Sequence, residues 1–264
     1  MKAAIVVTGY LPYFRETFSN IQNKILSKFS DYDVFLSTWD LKDEDKKDFI
    51  SLYNPVLIDN ELYTEETKYI LKNNLRYIQS IPGQSNAGAS PHSIAMWYKL
   101  SRGFNMVDEY ALEKNKNYDL IIRLRTDFIF TNSLTSDEIT NTLKGVIYVG
   151  PHCGADIGLN GNGHAADNFM LFNNSNLELF KNLYPNYFYI WDQYKCYTPE
   201  HVLYTYLKNS LATFRQTNLK FARLYQEKTL TWNVNNTECF FPTLELANIQ
   251  EDFYINENFE ITNL

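Results

Sequence analysis

The sequence predicts an α/β domain built on a mostly parallel, mixed sheet with helices on both sides, and three observations carry that expectation. Short unbroken apolar runs recur along the chain, and helical apolar periodicity fills the stretches between them. The first apolar run, the first helical pattern and the second run together fit within forty residues. A strand–helix–strand unit of that length favours a parallel pair joined by a right-handed crossover. The 264 residues contain no composition break, no Gly/Ser linker and no repeat of fixed period. One domain over residues 1–264 is expected, less regular after about residue 200.

Each element follows from local pattern. Ala3 to Val7 is an unbroken apolar run ending in Thr8-Gly9, as in a strand buried on both faces that turns sharply at its carboxyl end. Phe18, Ile21, Ile25 and Phe29 recur at helical spacing and predict a helix over 14–29. Tyr32 to Trp39 reads as a second buried strand, the charged run Lys42 to Asp48 as a solvated loop or helix face, and Asn54 to Ile58 as a third strand. A helix is expected over 64–78, a small-residue loop over 82–91, and a long helix over 92–112 with Ile94, Trp97, Leu100, Phe104 and Val107 on its apolar face. Tyr118 to Asp127 predicts a strand ending on an aspartate, followed by strands over 145–150 and 166–172. Asn176 to Leu183 reads as a helix, and Thr198-Pro199-Glu200 opens another to about Leu207 with proline in its first turn.

Composition excludes several functions. With 45% hydrophobic and 21% charged residues the chain can bury a large core, so disorder is excluded. The formal charge of −7 argues against a protein that holds nucleic acid through a basic field. Cys153, Cys196 and Cys239 are widely spaced with no CxxC pair, which fits neither a disulfide framework nor a zinc site. A reducing, cytoplasmic setting is the expectation. The apolar run at the N-terminus is too short for a signal peptide, and no run approaches the roughly 18 residues of a transmembrane helix. GxGxxG after the first strand, GxxxxGK[ST] and GxSxG are all absent.

Open α/β sheets bind ligands beyond the carboxyl ends of their strands. Three strand ends here are polar. Thr8, Gly9 and Tyr10 close the first, where backbone N–H groups come within reach of a ligand and Arg15 is placed to fork onto a phosphate. Trp39 and Asp40 close the second, a ring to stack on a base or sugar beside an acceptor for its hydroxyls. Arg123, Arg125 and Asp127 close the fourth. Two arginines inside a hydrophobic run call for an anion or for carboxylates, and Asp127 is a hard oxygen ligand suited to Mn²⁺ or Mg²⁺. The glycine-rich stretch 156–168 supplies Asp156, His164 and Asp167 just before an apolar strand, and Glu200 stands at a helix start where the dipole favours its anion.

The series V-V-T-G-Y with Arg15, D-V-F-L-S-T-W-D, Y-D-L-I-I-R-L-R-T-D, A-D-N-F-M-L-F and P-E-H-V-L-Y-T-Y-L resembles small bacterial and large-DNA-virus glycosyltransferases of the GT-A fold, which make capsule, lipopolysaccharide or capsid glycans. The likeness covers roughly residues 1–210 and is most specific at R-x-R-x-D. It implies that the first two patches hold a nucleotide and that Asp127 stands for the DxD metal site, with Arg125 where the first aspartate of that motif would be.

The resemblance implies transfer of a sugar from a nucleotide diphosphate, UDP before GDP, to a glycan or glycolipid acceptor. Residues 1–130 would bind the donor and 131–264 the acceptor. Asp167 is the first choice for the base that takes the acceptor proton, then Glu200, then Asp156. Two other readings stay open: a non-catalytic carbohydrate-binding module, suggested by the abundant tyrosine and tryptophan, and a nucleotidyltransferase, which shares metal-bound phosphates.

Overall fold

Strand formation begins where the sequence is apolar on both faces. In the first strand, β1 (Lys2–Thr8), Ala3, Ile5 and Val7 enter one core and Ala4 and Val6 the other, all of them fully buried. The computed structural model describes residues 1–65, 67, 91–150, 165–194, 199–224, 230–232, 253–255 and 261–263. Of the expected helix over 64–78 and the loop over 82–91, nearly all lies outside those residues.

From β1 the chain passes through α1 (Phe14–Lys24) and a 3₁₀ turn at Leu26–Lys28 into β2 (Asp31–Trp39), α2 (Asp43–Tyr53) and β3 (Leu57–Glu61). The single helix expected over 14–29 is thus divided at Ile25. The charged run becomes the first turns of α2, where Asp43, Glu44 and Asp45 complement the helix dipole. Helix α3 (Pro91–Lys114) leads to β4 (Leu120–Leu124) and, after a turn at Thr126-Asp127, to the short β5 (Phe128–Phe130). Then come α4 (Ser136–Leu143), β6 (Ile147–Gly150), β7 (Ala166–Asn173), α5 (Leu177–Lys181), α6 (Leu183–Tyr194) and α7 (Pro199–Asn209). The chain continues through β8 (Phe214–Gln216), β9 (Phe221–Leu224), β10 (Leu230–Trp232), β11 (Phe253–Ile255) and β12 (Ile261–Asn263).

The principal sheet has the order β3-β2-β1-β4-β7-β6-β8. Every pairing is parallel except the two made by β7, which runs against both β4 and β6. The fold class is the expected one, α/β with a mostly parallel sheet between helices. One face packs on α1 and α2 through Phe14, Ile21 and Phe49, and the other on α3, α6 and α7 through Trp97, Phe104, Tyr187 and Leu203. Elements not anticipated are β5, α4, α6 and the five short strands β8 to β12. Among the described residues, no helix is long and apolar enough to cross a membrane.

Two features of this frame position the site. The parallel order β2-β1-β4 brings three carboxyl strand ends together at one edge. The reversed direction of β7 puts its beginning, with Asp167, at that same edge.

Candidate functional site

At this edge lies a cavity of about 490 Å³, a volume in the range of small-molecule sites. Strand β1 contributes Thr8, Gly9 and Tyr10 to its wall, β2 contributes Trp39 and Asp40, and β4 contributes Arg123, followed by Arg125 and Asp127. Tyr63, Ala95 and Met96 complete one side. A smaller cavity of about 200 Å³ shares Tyr10, Trp39 and Asp40 and includes Arg15.

The turn after β1 depends on glycine. Gly9 has φ +95°, and a side chain added there would meet open space, so the requirement is conformational rather than steric. Its N–H donates to the Ser37 carbonyl at 3.2 Å and its carbonyl accepts from Thr38 Oγ1 at 2.7 Å. The Gly9 N–H, expected to face a ligand, instead ties the ends of β1 and β2 together. Tyr10 is 72% exposed at the rim. Arg15, expected to fork onto a phosphate, donates from Nε to Asp48 at 2.7 Å and from Nη2 to Asp45 at 2.7 Å, joining α1 to α2.

Trp39 is buried up to its cavity edge. Its indole N–H donates to the Ala95 carbonyl at 3.3 Å, its ring stacks on Tyr98 with centroids 5.6 Å apart, and Lys99 Nζ lies 4.2 Å from its centroid. Asp40 has φ +49°, donates its N–H to the Glu61 carbonyl, and accepts the Tyr63 N–H on Oδ1 at 3.0 Å.

The arginines differ in freedom. Arg123 is wholly buried: Nε donates to Thr8 Oγ1 at 3.2 Å and Nη2 to Asp167 Oδ2 at 3.2 Å, while buried Nη1 has no hydrogen-bond partner among the described residues. Burial pushes its guanidinium down to about 10, against the pull of Asp167, so it remains a cation at neutral pH. Arg125 is partly exposed and grips Asp127 with both prongs, Nε to Oδ1 at 2.8 Å and Nη2 to Oδ2. Its Nη1 is 3.9 Å from Asp167 Oδ2.

Asp167 is buried beside Arg123 and is not among the residues lining the cavity. Glu200, half-buried in the first turn of α7, accepts the Ala165 N–H on its carbonyl at 3.0 Å, which places it next to the entry of β7. Asp156, His152, His164 and the three cysteines lie outside the described residues.

Sequence reasoning missed a polar cluster under Trp39. Lys99, with no exposed side-chain surface, donates to Asp59 at 2.8 Å and lies 3.1 Å from Glu61, while Ser37 Oγ donates to the same Asp59 oxygen at 2.9 Å. A usable signal existed, for Lys99 interrupts the apolar stripe of α3 and Asp59 and Glu61 alternate along β3.

For a divalent cation, the wall offers Asp127 and Asp40 as hard oxygen donors; Mg²⁺ sites commonly combine one or two carboxylates with substrate phosphates. Among the described residues no cluster of three or more His, Cys, Asp or Glu could hold a metal alone. Arg123 and Arg125 balance Asp40 and Asp127 in formal charge, so a diphosphate adds negative charge that a bound cation would offset. The donor set fits a cation that arrives with the phosphates.

No family model matches the chain, and no curated protein matches it. Among solved structures it is similar to core-mannan synthase A from Aspergillus fumigatus in its Mn/GDP form, at 13% identity, covering 91% of this chain and 78% of that one with a TM-score of 0.47. It is also similar to mouse xyloside xylosyltransferase 1 in its apo form, at 12% identity, covering 82% of this chain and 85% of that one with a TM-score of 0.40.

Proposed function

We propose that this chain is a glycosyltransferase of GT-A type that moves a sugar from a nucleotide diphosphate donor, UDP before GDP, to a glycan or glycolipid acceptor. The observation that supports this most is Arg123: a buried cation on the wall of a ligand-sized cavity, fixed through two of its nitrogens and with its third lacking a partner among the described residues. A buried donor without a partner is costly. An anion in the cavity relieves that cost.

Residues 1–130 form the donor half in this reading and 131–264 the acceptor half. Arg123 binds the diphosphate from a fixed position, and Arg125 adds a second positive charge as the nucleotide leaves. Thr8 and Gly9 shape the floor, Tyr10 and the cavity edge of Trp39 supply apolar surface for base or sugar, and Asp40 faces their hydroxyls. Arg15 holds the rim by pairing with α2. Asp127 is the residue that would hold Mn²⁺ or Mg²⁺, which when bound supplies charge to the leaving diphosphate. Asp167 Oδ2 orients Arg123, and Asp167, whose Oδ1 receives no hydrogen bond from either arginine, is the first choice for the base that takes the acceptor proton. Glu200 and Asp156 are the second and third choices for that proton.

The test is a thermal-shift and calorimetric screen of UDP, GDP, their sugars and the bare nucleosides against wild type and Arg123→Gln. Diphosphates should raise Tm well beyond nucleosides in wild type and lose that advantage in the variant, and one nucleotide sugar should be hydrolysed. A shift by free oligosaccharide alone would leave a carbohydrate-binding module. Pyrophosphate released from a nucleoside triphosphate and a sugar phosphate would assign a nucleotidyltransferase.

A further inference from the structure

We infer that Thr17 and Asn20 of α1 are positioning residues for the proposed transfer, holding at the cavity wall the turn that carries Arg125 and Asp127. This rests on the donor site proposed above and names residues outside the cavity that set its geometry.

Residues 125–127 belong to neither of the strands that flank them, although Arg125 and Asp127 line the cavity. Something other than a strand ladder must therefore fix them. Thr126 Oγ1 is buried with no hydrogen-bond partner among the described residues, so the turn is not closed by its own hydroxyl. Its carbonyl is taken by Thr17 Oγ1 at 2.9 Å, across 109 residues of sequence. Thr17 is wholly buried, and its one hydroxyl proton is shared with the Tyr13 carbonyl, also at 2.9 Å. A peptide unit is planar, so fixing the Thr126 carbonyl oxygen also sets the plane from which Asp127 leaves.

Helix α1 grips the same segment again further along. Asn20 Nδ2 donates to the Phe130 carbonyl at 2.9 Å, and Asn20 Oδ1 accepts the Phe130 N–H at 2.7 Å. Strand β5 is the edge of its sheet, paired with β9 alone, and the Asn20 amide gives Phe130 the two bonds that a second neighbouring strand would supply. Lys24 Nζ then donates to the Thr131 carbonyl at 3.2 Å. Thr17, Asn20 and Lys24 recur at helical spacing on one face of α1, so the segment from Thr126 to Thr131 takes its register from a helix.

The two arginines are thus held by different means. Arg123 is pinned by Thr8 and Asp167 and does not use this clamp. Arg125 and Asp127 are joined to each other across the turn and move with it. A misplacement of about 1 Å is enough to cost roughly a hundredfold in rate, which is why a clamp on the turn bears on the chemistry.

The experiment measures binding of UDP, GDP, uridine and guanosine by calorimetry, and urea unfolding, in wild type, Asn20→Ala, Thr17→Val, Thr17→Ser and Ile21→Val. Asn20 is half-buried, so water can take the two Phe130 groups and Asn20→Ala should fold. Asn20→Ala and Thr17→Val should each bind the diphosphates roughly tenfold more weakly, the factor for losing one hydrogen bond to a charged group, with nucleoside affinity unchanged. Thr17→Ser keeps the hydroxyl and should stay near wild type. Ile21→Val loosens the apolar packing of the same helix without touching the turn, and should keep full diphosphate affinity while losing stability. Unchanged diphosphate affinity in both Asn20→Ala and Thr17→Val overturns the inference. So does an equal loss in Ile21→Val, or a loss shared equally by nucleosides; in all three cases the donor site stands. Wild-type protein that binds diphosphates no tighter than nucleosides overturns the donor site and this inference together.

Discussion

At Gly103 α3 lies close against the sheet, and replacing it with alanine tests whether that closeness sets the position of Arg123. A Cβ built there would stand 2.7 Å from Val6 Cγ1, 3.1 Å from Thr8 Cγ2 and 3.6 Å from Ser37 Cβ. Carbon atoms pack at about 3.5 Å or more, so the new methyl is roughly 0.8 Å too close to Val6. Val6 is fully buried and β-branched, with little freedom to rotate away. The helix or the strand must therefore move. Overpacking of this kind costs about 1–3 kcal/mol, offset by about 1 kcal/mol of helix propensity, for a net loss of about 0–2 kcal/mol in urea unfolding. Thr8 is the second clash and also the acceptor for Arg123 Nε, so diphosphate affinity should fall in the same variant. The decisive measurement is a double-mutant cycle with Val6→Ala, which removes the clashing methyl. The pair should be more stable than the sum of its parts by about 1 kcal/mol, in the range seen for residues in contact. Additive effects, or a Gly103→Ala protein more stable than wild type with full diphosphate affinity, would refute the reasoning.

Two further outcomes test other parts of the frame. Lys99→Met leaves the largely enclosed Asp59 without its cation, Glu61 being more exposed, and should cost about 3 kcal/mol, the low end for a broken buried pair, by denaturant unfolding, whereas Lys99→Met with Asp59→Leu should recover most of that loss. Burial alone would raise the Asp33 carboxyl, but hydrogen bonds from Tyr118 at 2.6 Å and Lys116 at 2.9 Å, together with nearby Lys2, hold it below the usual carboxylate range. A group depressed on folding stabilises the protein above its unfolded pKa, and that contribution disappears as pH falls through the folded value. The Tm gap between wild type and Asp33→Asn should be full at pH 7 and shrink through and below pH 4; a gap independent of pH would contradict the assignment.

The strand ends were legible because the central stretches of β1, β2 and β4 are apolar on both faces, so the polar residues near their carboxyl ends stand out. Parallel pairing then carries Thr8, Trp39 and Arg123 to one edge with no further information. Their partners were not legible. Alternation places Arg125 with Arg123, but the turn at Thr126-Asp127 breaks that period and folds Asp127 back onto Arg125. The N–H of Gly9 looked available because nothing local to it shows that Ser37, 28 residues on, supplies an acceptor. Helix α4 carried a readable signature, Thr135 and Glu138 at capping-box spacing. The other half of that device could not be read, since the second Glu138 oxygen accepts from Thr217 and Asn218 some 80 residues away. Lys99 was hidden by the strength of the stripe around it, which reads the same whether its one polar member faces water or a buried carboxylate.

The way Arg123 is held also fixes when it can be held. Its contact to Thr8 spans 115 residues and its contact to Asp167 spans 44. The β1–α1–β2 unit, by contrast, closes over about 29 residues in register. Loop-closure entropy must be met before long-range contacts repay it, so the N-terminal unit can assemble early with Gly9 and Trp39 already side by side. Arg123 joins only after β4 enters beside β1 and the start of β7 follows. On the ribosome, Arg123 is made before its counter-ion exists, and β4 carries an uncompensated cation until Asp167 has emerged. A nascent chain at that stage has the floor of the cavity and an arginine that nothing yet fixes from the β7 side.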